Sequence, residues 1–186
     1  NIRYISNKVH NPLNPRSGNY LSLSASIYGT VLGGKRHFLK IRSEYRIYFN
    51  LFNNNIIAAR IVSNYIDNLE NNKELPPAYQ LTLGGQNTLR GWTGPTHPES
   101  KNGALISDMM NIEYRFPLLK KFGGFIFLDS GRLFNDINNI INAEIIWDYG
   151  LGLVYNTKLG PIRLDMGFPY GDVSNGQLHA SLLYMF

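Results

Sequence analysis

Cysteine is absent from the 186-residue sequence, which excludes disulfides and thiolate metal sites and leaves the redox compartment undetermined. The sequence also has no run near the roughly 18 consecutive apolar residues of a membrane-spanning helix. It shows no signal peptide and begins at Asn1 rather than Met. We therefore interpret its start as a processing or expression boundary and expect further domains upstream.

Neither positively nor negatively charged residues cluster in any part of the sequence. The net charge of +5 comes from 18 Lys and Arg against 13 Asp and Glu, all dispersed. The only basic groupings are short pairs such as Lys35-Arg36 and Lys120-Lys121. A nucleic-acid surface needs a basic cluster, so we expect no nucleic-acid partner.

Catalytic and cofactor-binding motifs are also missing. The four histidines are scattered, and none has metal-ligand spacing: His10, His37, His97 and His179. The stretch LGGQNTLRG lacks the Gly-Lys-Ser/Thr ending of a phosphate loop. Asp129-Ser130-Gly131 lacks the flanks of a nucleophile elbow. We predict no enzymatic activity, no cofactor and no metal.

Alternation with a period of two residues recurs throughout the chain and indicates β-strands. In FLKIRSEYRIYF, apolar positions between Leu39 and Phe49 alternate with Lys40, Arg42, Glu44 and Arg46. The pattern predicts strands at about 2–9 (the weakest), 18–29, 37–51, 55–65, 104–116, 122–134, 147–157, 160–169 and 177–186. Long connections are expected at about 66–103 and 135–146; the second contains DINNIINAEII, interpreted as a short helix or a loop excursion.

Alternation does not show which face meets water. A soluble sandwich or lipocalin-like barrel buries its apolar face, whereas a membrane barrel turns that face to lipid. Three features favour the membrane barrel: compensating charges on the polar faces, strands long enough to cross a bilayer when tilted, and short turns opposite long loops. We predict an all-β, antiparallel transmembrane β-barrel.

Several segments resemble one family, the outer-membrane assembly and translocation barrels typified by BamA and TamA (the bacterial surface antigen superfamily). The stretch LGGQNTLRGW is similar to the signature of the family's long surface loop, with Gly84, Gly85, Leu89, Arg90, Gly91 and Trp92 as the motif residues. The strands NIEYRFPL, GGFIFLDSGRLF and YGLGLVYNTKLGPIRLDMGFPYG follow in the family's order. The chain ends on an aromatic residue, as the family's last strand does.

The resemblance implies that the loop folds into the lumen and that Arg90 contacts acidic residues on the next two strands. The matching positions are Glu113 and Asp129, with Phe127 and Gly131 as the supporting strand motif. Independently, Asp129 alternates with apolar positions that face lipid, so its carboxylate should point inward and need a cation. Two plainer interpretations stay open: Arg90 in a surface turn, and Glu113 paired only within its own strand or with neighbours.

The last segment of the chain also has two interpretations. Tyr184 and Phe186 fall on one predicted outward-facing row of the last strand. They are interpreted either as aromatic residues that anchor the strand at the membrane interface or as a signal read by the insertion machinery. The same outward-facing row is compatible with both roles. In the family, the last strand pairs weakly with the first to form a lateral seam.

The resemblance implies an outer-membrane factor of a Gram-negative cell envelope, rather than of an organelle, that inserts or translocates other proteins. Implied partners are membrane lipids, client outer-membrane or secreted proteins, periplasmic accessory proteins or upstream repeat domains, and a second copy of the chain. The alternatives are the membrane anchor of a patatin-like secreted or surface-displayed enzyme, and a plain structural barrel or porin.

The length of the chain limits how the barrel can close. The family barrel has roughly sixteen strands, and the resemblance covers only its carboxy-terminal half. A closed barrel of about eight strands has an interior just wide enough for its own side chains and cannot hold a reinserted loop. We therefore expect a fragment of a longer chain, or a half-barrel completed by a second copy.

Overall fold

The computed structural model describes residues 1–29, 33, 36–70, 74–94, 103–158 and 160–186. Nine strands form one antiparallel sheet in which each strand pairs with its sequence neighbours. The strands are β1 Ile2–Asn7, β2 Gly18–Tyr28, β3 Phe38–Asn50, β4 Ile56–Asn68, β5 Ile106–Leu119, β6 Phe122–Phe134, β7 Ile146–Thr157, β8 Gly160–Pro169 and β9 Gln177–Leu182. This confirms the predicted all-β class and the number of strands.

The two faces of the sheet differ as the alternation predicts. In β7, Asp148 and Gly150 lie on the buried inner face, whereas Leu151 and Leu153 are 56% and 52% exposed on the outer face. Such large apolar side chains cover the outer face of most strands. The sheet therefore has the surface of a membrane barrel wall, with a polar interior.

Aromatic side chains mark both ends of the outer face. Tyr65, Trp147, Tyr149 and Tyr170 lie near the long connections, and Phe49, Phe122 and Tyr155 lie near the short turns, all of them exposed. Aliphatic side chains such as Ile126 and Leu151 occupy the outer face between the two groups. Two aromatic bands around an apolar one are typical of outer-membrane barrels, where the rings lie at the two membrane interfaces.

Several predicted boundaries differ from the structure. Strand β4 continues to Asn68, so the long connection begins at 69 rather than 66, and β5 begins at Ile106 and continues to Leu119. The segment DINNIINAEII contains one 3-10 turn, Ile137–Asn139, and is otherwise a loop excursion. Residues 95–102 of the long connection lie outside the described part of the chain.

The prediction for the end of the chain was wrong. Strand β9 ends at Leu182, because Leu183 adopts a positive φ of 72° that interrupts the extended backbone. The alternation therefore breaks, and Phe186 is 3% exposed beside Tyr48 instead of lying on the outer face. Tyr184 is also partly buried on the inner side, where the Arg115 guanidinium lies 4.0 Å from its ring centroid.

The described sheet has two edges. No backbone pairing joins β9 to β1 among the residues described. Within that same part of the chain, no helix has the length and apolarity needed to cross a membrane.

Candidate functional site

Residues 84–92 of the long connection form a compact turn, which we call the luminal hairpin. Its opening glycines, Gly84 and Gly85, have φ angles of 117° and 94°, a region that side chains other than glycine rarely adopt. The Gly85 amide donates to the carbonyls of Leu89 and Trp92 at 3.0 and 2.8 Å. The Gly84 amide donates to Thr88 Oγ1 at 2.9 Å. These bonds fix the turn at the start of the hairpin.

Apolar side chains attach the hairpin to the inner face of the sheet. Leu89 is fully buried and Leu83 is 2% exposed, and both belong to a core cluster with residues of β3 to β7. Gly131 provides the space, since a Cβ at that position would lie 2.7 Å from Leu83 Cδ1. Trp92 packs at the border of the cluster and donates from Nε1 to the Trp147 carbonyl at 3.2 Å.

Arg90 projects from the hairpin onto two strands of the wall. Its Nε and Nη2 each donate to a different carboxylate oxygen of Asp129, both at 2.8 Å, and its Nη1 donates to Glu113 Oε1 at 2.6 Å. This is a bidentate fork plus a third charge-assisted bond. The structure thus brings together Arg90, Glu113 and Asp129, with all three side chains at 0% exposure.

Three further residues extend these contacts into what we call the luminal ion cluster. Arg163 donates to Glu113 and Asp165 at 2.9 Å each, and Arg115 donates to Glu113 at 2.7 Å. Asp165 also lies 3.4 Å from Arg90 Nη1. The cluster therefore has three guanidinium groups and three carboxylates, and its formal charges cancel: Arg90, Arg115, Arg163, Glu113, Asp129 and Asp165.

Each guanidinium of the cluster also lies over an aromatic ring. Arg90 Cζ is 3.5 Å from the Phe127 ring centroid, and Arg163 Cζ is 4.1 Å from that of Phe125. The two rings extend across Gly150 and Gly152 of β7, where any Cβ would collide with them. The paired Phe and Gly positions of β6 and β7 thus build an aromatic floor beneath the arginines from two rings tilted by 31° to each other.

Backbone atoms of the hairpin bind further strands. Asn87 and Thr88 carbonyls accept from Arg60 of β4 at 3.2 Å and from Asn111 of β5 at 2.7 Å. The Arg90 carbonyl lies 2.8 Å from His179 Nε2 of β9, which donates to it. With the contacts to β6, β7 and β8 above, the hairpin touches six consecutive strands.

Glycines bring the hairpin backbone against the wall. A Cβ on Gly91 would lie 2.6 Å from Asp148 Cβ, and one on Gly167 would lie 2.7 Å from the Arg90 carbonyl carbon. Bulkier residues at either position would push the Arg90 backbone away from β7 and β8. This close approach is the physical reason for glycine directly after Arg90.

The electrostatics of Arg90 favour a permanent positive charge. Burial alone lowers the pKa of its guanidinium, but the carboxylates of Glu113, Asp129 and Asp165 outweigh that effect and raise the pKa above its ordinary value. Breaking such a buried pair from one side typically costs about 3–5 kcal/mol, because a charge is left uncompensated. The Arg90 guanidinium therefore stays positively charged and paired with these carboxylates.

Asp148 is the exception among the buried acids. It is fully buried, lies opposite Asp129 in the pairing of β6 with β7, and neither of its carboxylate oxygens has a hydrogen-bond partner. Within the described residues, no group of three or more His, Cys, Asp or Glu is arranged to hold a metal ion.

Comparison with known proteins gives the context for this arrangement. A family model described as the Omp85 superfamily domain matches residues 1–181. The chain belongs to the Omp85 superfamily. Its members are outer-membrane β-barrels, which places this Omp85 barrel segment in the outer membrane.

One curated relative and one solved structure illustrate the likeness. The outer membrane protein assembly factor BamA of Nitratidesulfovibrio vulgaris is 25% identical over 194 aligned positions, which cover 96% of this chain and 24% of that protein. The crystal structure of BamA from Haemophilus ducreyi lacking POTRA domains 1–3 superposes with a TM-score of 0.75 at 15% identity, over 95% of this chain and 40% of that one. The Omp85 segment thus spans about a quarter of the curated relative's length.

Sequence reasoning missed several residues that the Omp85 segment gathers around Arg90. Arg163 and Asp165 lie in the predicted strand 160–169, yet nothing in the sequence linked them to the loop. Asn111 and His179 lie in the predicted strands 104–116 and 177–186, and the sequence suggested no partner for either residue. The signal that could have found them is cross-strand register, which brings Asn111 beside Asp129 and Asp165 beside His179.

Proposed function

We propose that this segment is part of the barrel of an outer-membrane factor that inserts or translocates client proteins. Membership of the Omp85 superfamily supports this, as does the similarity to an outer membrane protein assembly factor. The clients are outer-membrane or secreted proteins, and periplasmic accessory proteins or repeat domains deliver them. The chain acts without catalysis, cofactor or metal.

The observation that carries the proposal is the contact of one hairpin with six consecutive strands, β4 to β9. A surface loop without a structural role would not be expected to bury a charge-neutral cluster of six ionic side chains. The hairpin instead braces the wall from inside, so that the wall stays rigid up to β9 while the free edge of that strand opens. A plain porin fits the structure less well, because the hairpin occupies the space along the inner face that a pore would need.

The moving part in this proposal is a lateral seam at β9. That strand has six residues, pairs with β8 on one side, and has no neighbour on its other side among the described residues. Its free backbone groups can pair with the first strand of a complete barrel or, when the seam opens, with an incoming client strand by β-augmentation. A short strand with few hydrogen bonds lowers the cost of opening.

The missing strands must come from elsewhere, since an open edge in lipid leaves backbone groups unpaired. We propose that the remaining strands belong to the same, longer protein, and that a second copy of the chain is the alternative source. The same reasoning makes membrane lipids an obligatory partner of the outer face.

The experiment that tests the proposal is a charge-swap cycle on Arg90 and Asp129 in the full-length protein. Arg90→Glu, Asp129→Arg and the double variant are compared for heat-modifiable gel mobility, which reports folding, and for insertion of a reporter barrel. We expect each single swap to reduce insertion at least about tenfold, the factor that about 1.4 kcal/mol gives, and the double variant to recover part of it.

A matched control is the ion pair of Arg36 and Glu70, whose side chains are 34% and 11% exposed, lie 3.5 Å apart and belong to neither the hairpin nor the luminal ion cluster. Swapping these two charges should leave both readouts unchanged. Normal insertion by both single swaps at Arg90 and Asp129 would contradict the bracing role. If swaps shift gel mobility but leave insertion intact, the cluster stabilises the barrel without serving assembly.

A further inference from the structure

The fold gathers at one end of the sheet positive charges that are dispersed in the sequence. Five basic residues lie in the short turns β1–β2, β5–β6 and β7–β8, and we call them the turn cations: Lys8, Arg16, Lys120, Lys121 and Lys158. All 13 Asp and Glu residues belong to strands or to the connections at the opposite end. The charge of +5 on the turn cations therefore equals the net charge of the whole chain.

The turn cations are accessible at the surface of the protein. All five residues are exposed. None of them forms an ion pair within the part of the chain that the structure describes. The luminal ion cluster differs in this respect, because Arg90, Arg115 and Arg163 each contact a carboxylate. The charge of the turn cations is therefore available to a partner outside this segment.

The β1–β2 turn folds across the end of the sheet and forms a cavity there. Asn14 Nδ2 donates to Asn156 Oδ1 of β7, and Arg115 Nη1 of β5 donates to the Pro15 carbonyl, both at 3.5 Å. The cavity between this turn and the β5–β6 turn has a volume of about 190 Å³, and no acidic residue among the described ones lines it. Phe122 of the outer face belongs to the lining, so the cavity lies at the rim of the wall. Three elements contribute its cationic side chains: Arg16, Arg115 and Lys120.

Large apolar side chains lie next to the turn cations on the outer face. Lys120 and Lys121 lie between Leu119 and Phe122, which are 74% and 50% exposed. Phe52 of the β3–β4 turn is 76% exposed. Aromatic and aliphatic side chains beside Lys and Arg are typical of a membrane interface, where the apolar parts enter the bilayer and the cations reach the headgroups. This end of the sheet therefore fits a membrane surface of negative charge.

The orientation of the barrel determines which leaflet the turn cations meet. In outer-membrane barrels the short turns face the periplasm, and the periplasmic leaflet consists of phospholipids. The turn cations are therefore at the level of phospholipid headgroups. Clusters of Lys and Arg at a membrane surface attract anionic lipids.

We propose that the short-turn end binds anionic phospholipids of the periplasmic leaflet. Arg16 and Lys120 hold one headgroup phosphate at the cavity, the other turn cations attract further headgroups, and the exposed apolar side chains contact the acyl chains. A zwitterionic headgroup is the weaker ligand, because the cations repel its ammonium group. An acidic protein surface would balance the cations but would leave the neighbouring apolar side chains without lipid. The proposal requires only the outer-membrane barrel and is independent of the assembly function.

The test measures lipid retained by the full-length protein in native mass spectrometry, after release from membranes with equal amounts of two lipids. The probes are dioleoyl phosphatidylglycerol, which is anionic, and dioleoyl phosphatidylethanolamine, which is zwitterionic and has the same acyl chains. We expect about fivefold more phosphatidylglycerol on the unmodified protein. This ratio corresponds to about 1 kcal/mol, the attraction of one basic side chain to an anionic membrane surface.

Two variants separate the cavity from the remaining turn cations. Arg16→Gln with Lys120→Gln removes the cavity pair and should lower the ratio, and neutralising all five turn cations should bring it to about one. The matched control is Arg36→Gln with Lys40→Gln, which removes two positive charges outside the short turns and should leave the ratio unchanged. The variant Arg16→Lys with Lys120→Arg keeps the charge and should keep the preference.

All variants are compared in samples whose heat-modifiable mobility shows a folded barrel. Equal retention of the two lipids by the unmodified protein would overturn the proposal. A loss of preference in the control as large as that in the cavity variant would also overturn it, because the position of the charges would then be irrelevant. An unchanged preference in the five-charge variant would reject the lipid as the partner and leave an acidic protein surface as the ligand of the turn cations.

Discussion

At the scale of single residues, the luminal ion cluster explains why position 90 is arginine rather than lysine. Three carboxylates from three strands surround one side chain, and Arg90 reaches all of them with one planar group: Glu113, Asp129 and Asp165. A lysine ammonium is a point charge on a flexible stem, and it lacks the fork that matches Asp129. Charge alone is therefore only part of what the site requires.

We expect Arg90→Lys to lie between the unmodified protein and Arg90→Ala in stability. Arg90→Ala leaves buried carboxylates uncompensated and should cost about 3–5 kcal/mol, while Arg90→Lys keeps the charge and loses the fork. Urea unfolding of the full-length protein in lipid, followed by tryptophan fluorescence, measures both. Arg36→Lys, at the partly exposed ion pair with Glu70 outside the cluster, is the control and should have no effect. A lysine variant as stable as the unmodified protein would show that geometry contributes nothing.

Asp148 and Asp165 form a natural pair for the next prediction. Both are buried acids on neighbouring strands, but Asp165 accepts hydrogen bonds from Arg163 whereas Asp148 has no hydrogen-bond partner and faces Asp129. Asp165→Asn should cost about 1–3 kcal/mol through the lost charged partner. Asp148→Asn removes a buried acidic group that faces Asp129 and should leave stability unchanged or raise it, in the same unfolding assay. The opposite order of the two variants would refute this account of the cluster.

At the scale of elements, the pairing of β6 with β7 sets the floor of the site. Phe125 lies across Gly152 and Phe127 across Gly150, because those cross-strand partners lack side chains. The large side chains of β6 thus fill the space that the glycines of β7 leave free, and the guanidinium groups of Arg90 and Arg163 pack on the two rings.

Gly152→Val should displace the Phe125 ring and destabilise the barrel by about 1–3 kcal/mol through overpacking. Combining it with Phe125→Ala returns the volume to β7, so the double variant should be less unstable than the sum of the two single changes. The comparison uses midpoints of urea unfolding, with Leu151→Val on the outer face of the same strand as control. Strict additivity of the two changes would mean that the ring and the glycine are not coupled.

Strands and their faces could be predicted from the sequence because alternation is local information. The end of β9 could not, since the positive φ of Leu183 has no counterpart in the pattern of apolar residues. Glu113 and Asp129 could be linked to Arg90 by resemblance. Arg163, Asp165 and His179 could not, because their nearness to Arg90 depends on the register of distant strands and on where the hairpin lies.

At the scale of the whole molecule, the described sheet has its inner face filled and its two edges unpaired. Each unpaired backbone group in hydrocarbon costs several kcal/mol, so the edges of β1 and β9 cannot both stay open in a membrane. Because the centre of the sheet is rigid and its edges are unpaired, we expect the sheet to associate with other strands through its edges, without a change in its centre.

The 186 residues alone, folded into lipid, should therefore associate through their edges. The absence of cysteine allows a direct measurement with single-cysteine variants. Tyr4→Cys on the outer face of the edge strand β1 should oxidise to covalent dimers, whereas Met110→Cys, equally on the outer face but in the middle of the sheet, should stay monomeric. In the longer protein that we propose, further strands would cover β1, so the Tyr4→Cys dimer should disappear. Dimers of Met110→Cys alone, or a stable monomer with no edge cross-link, would contradict edge pairing as the way the wall is completed.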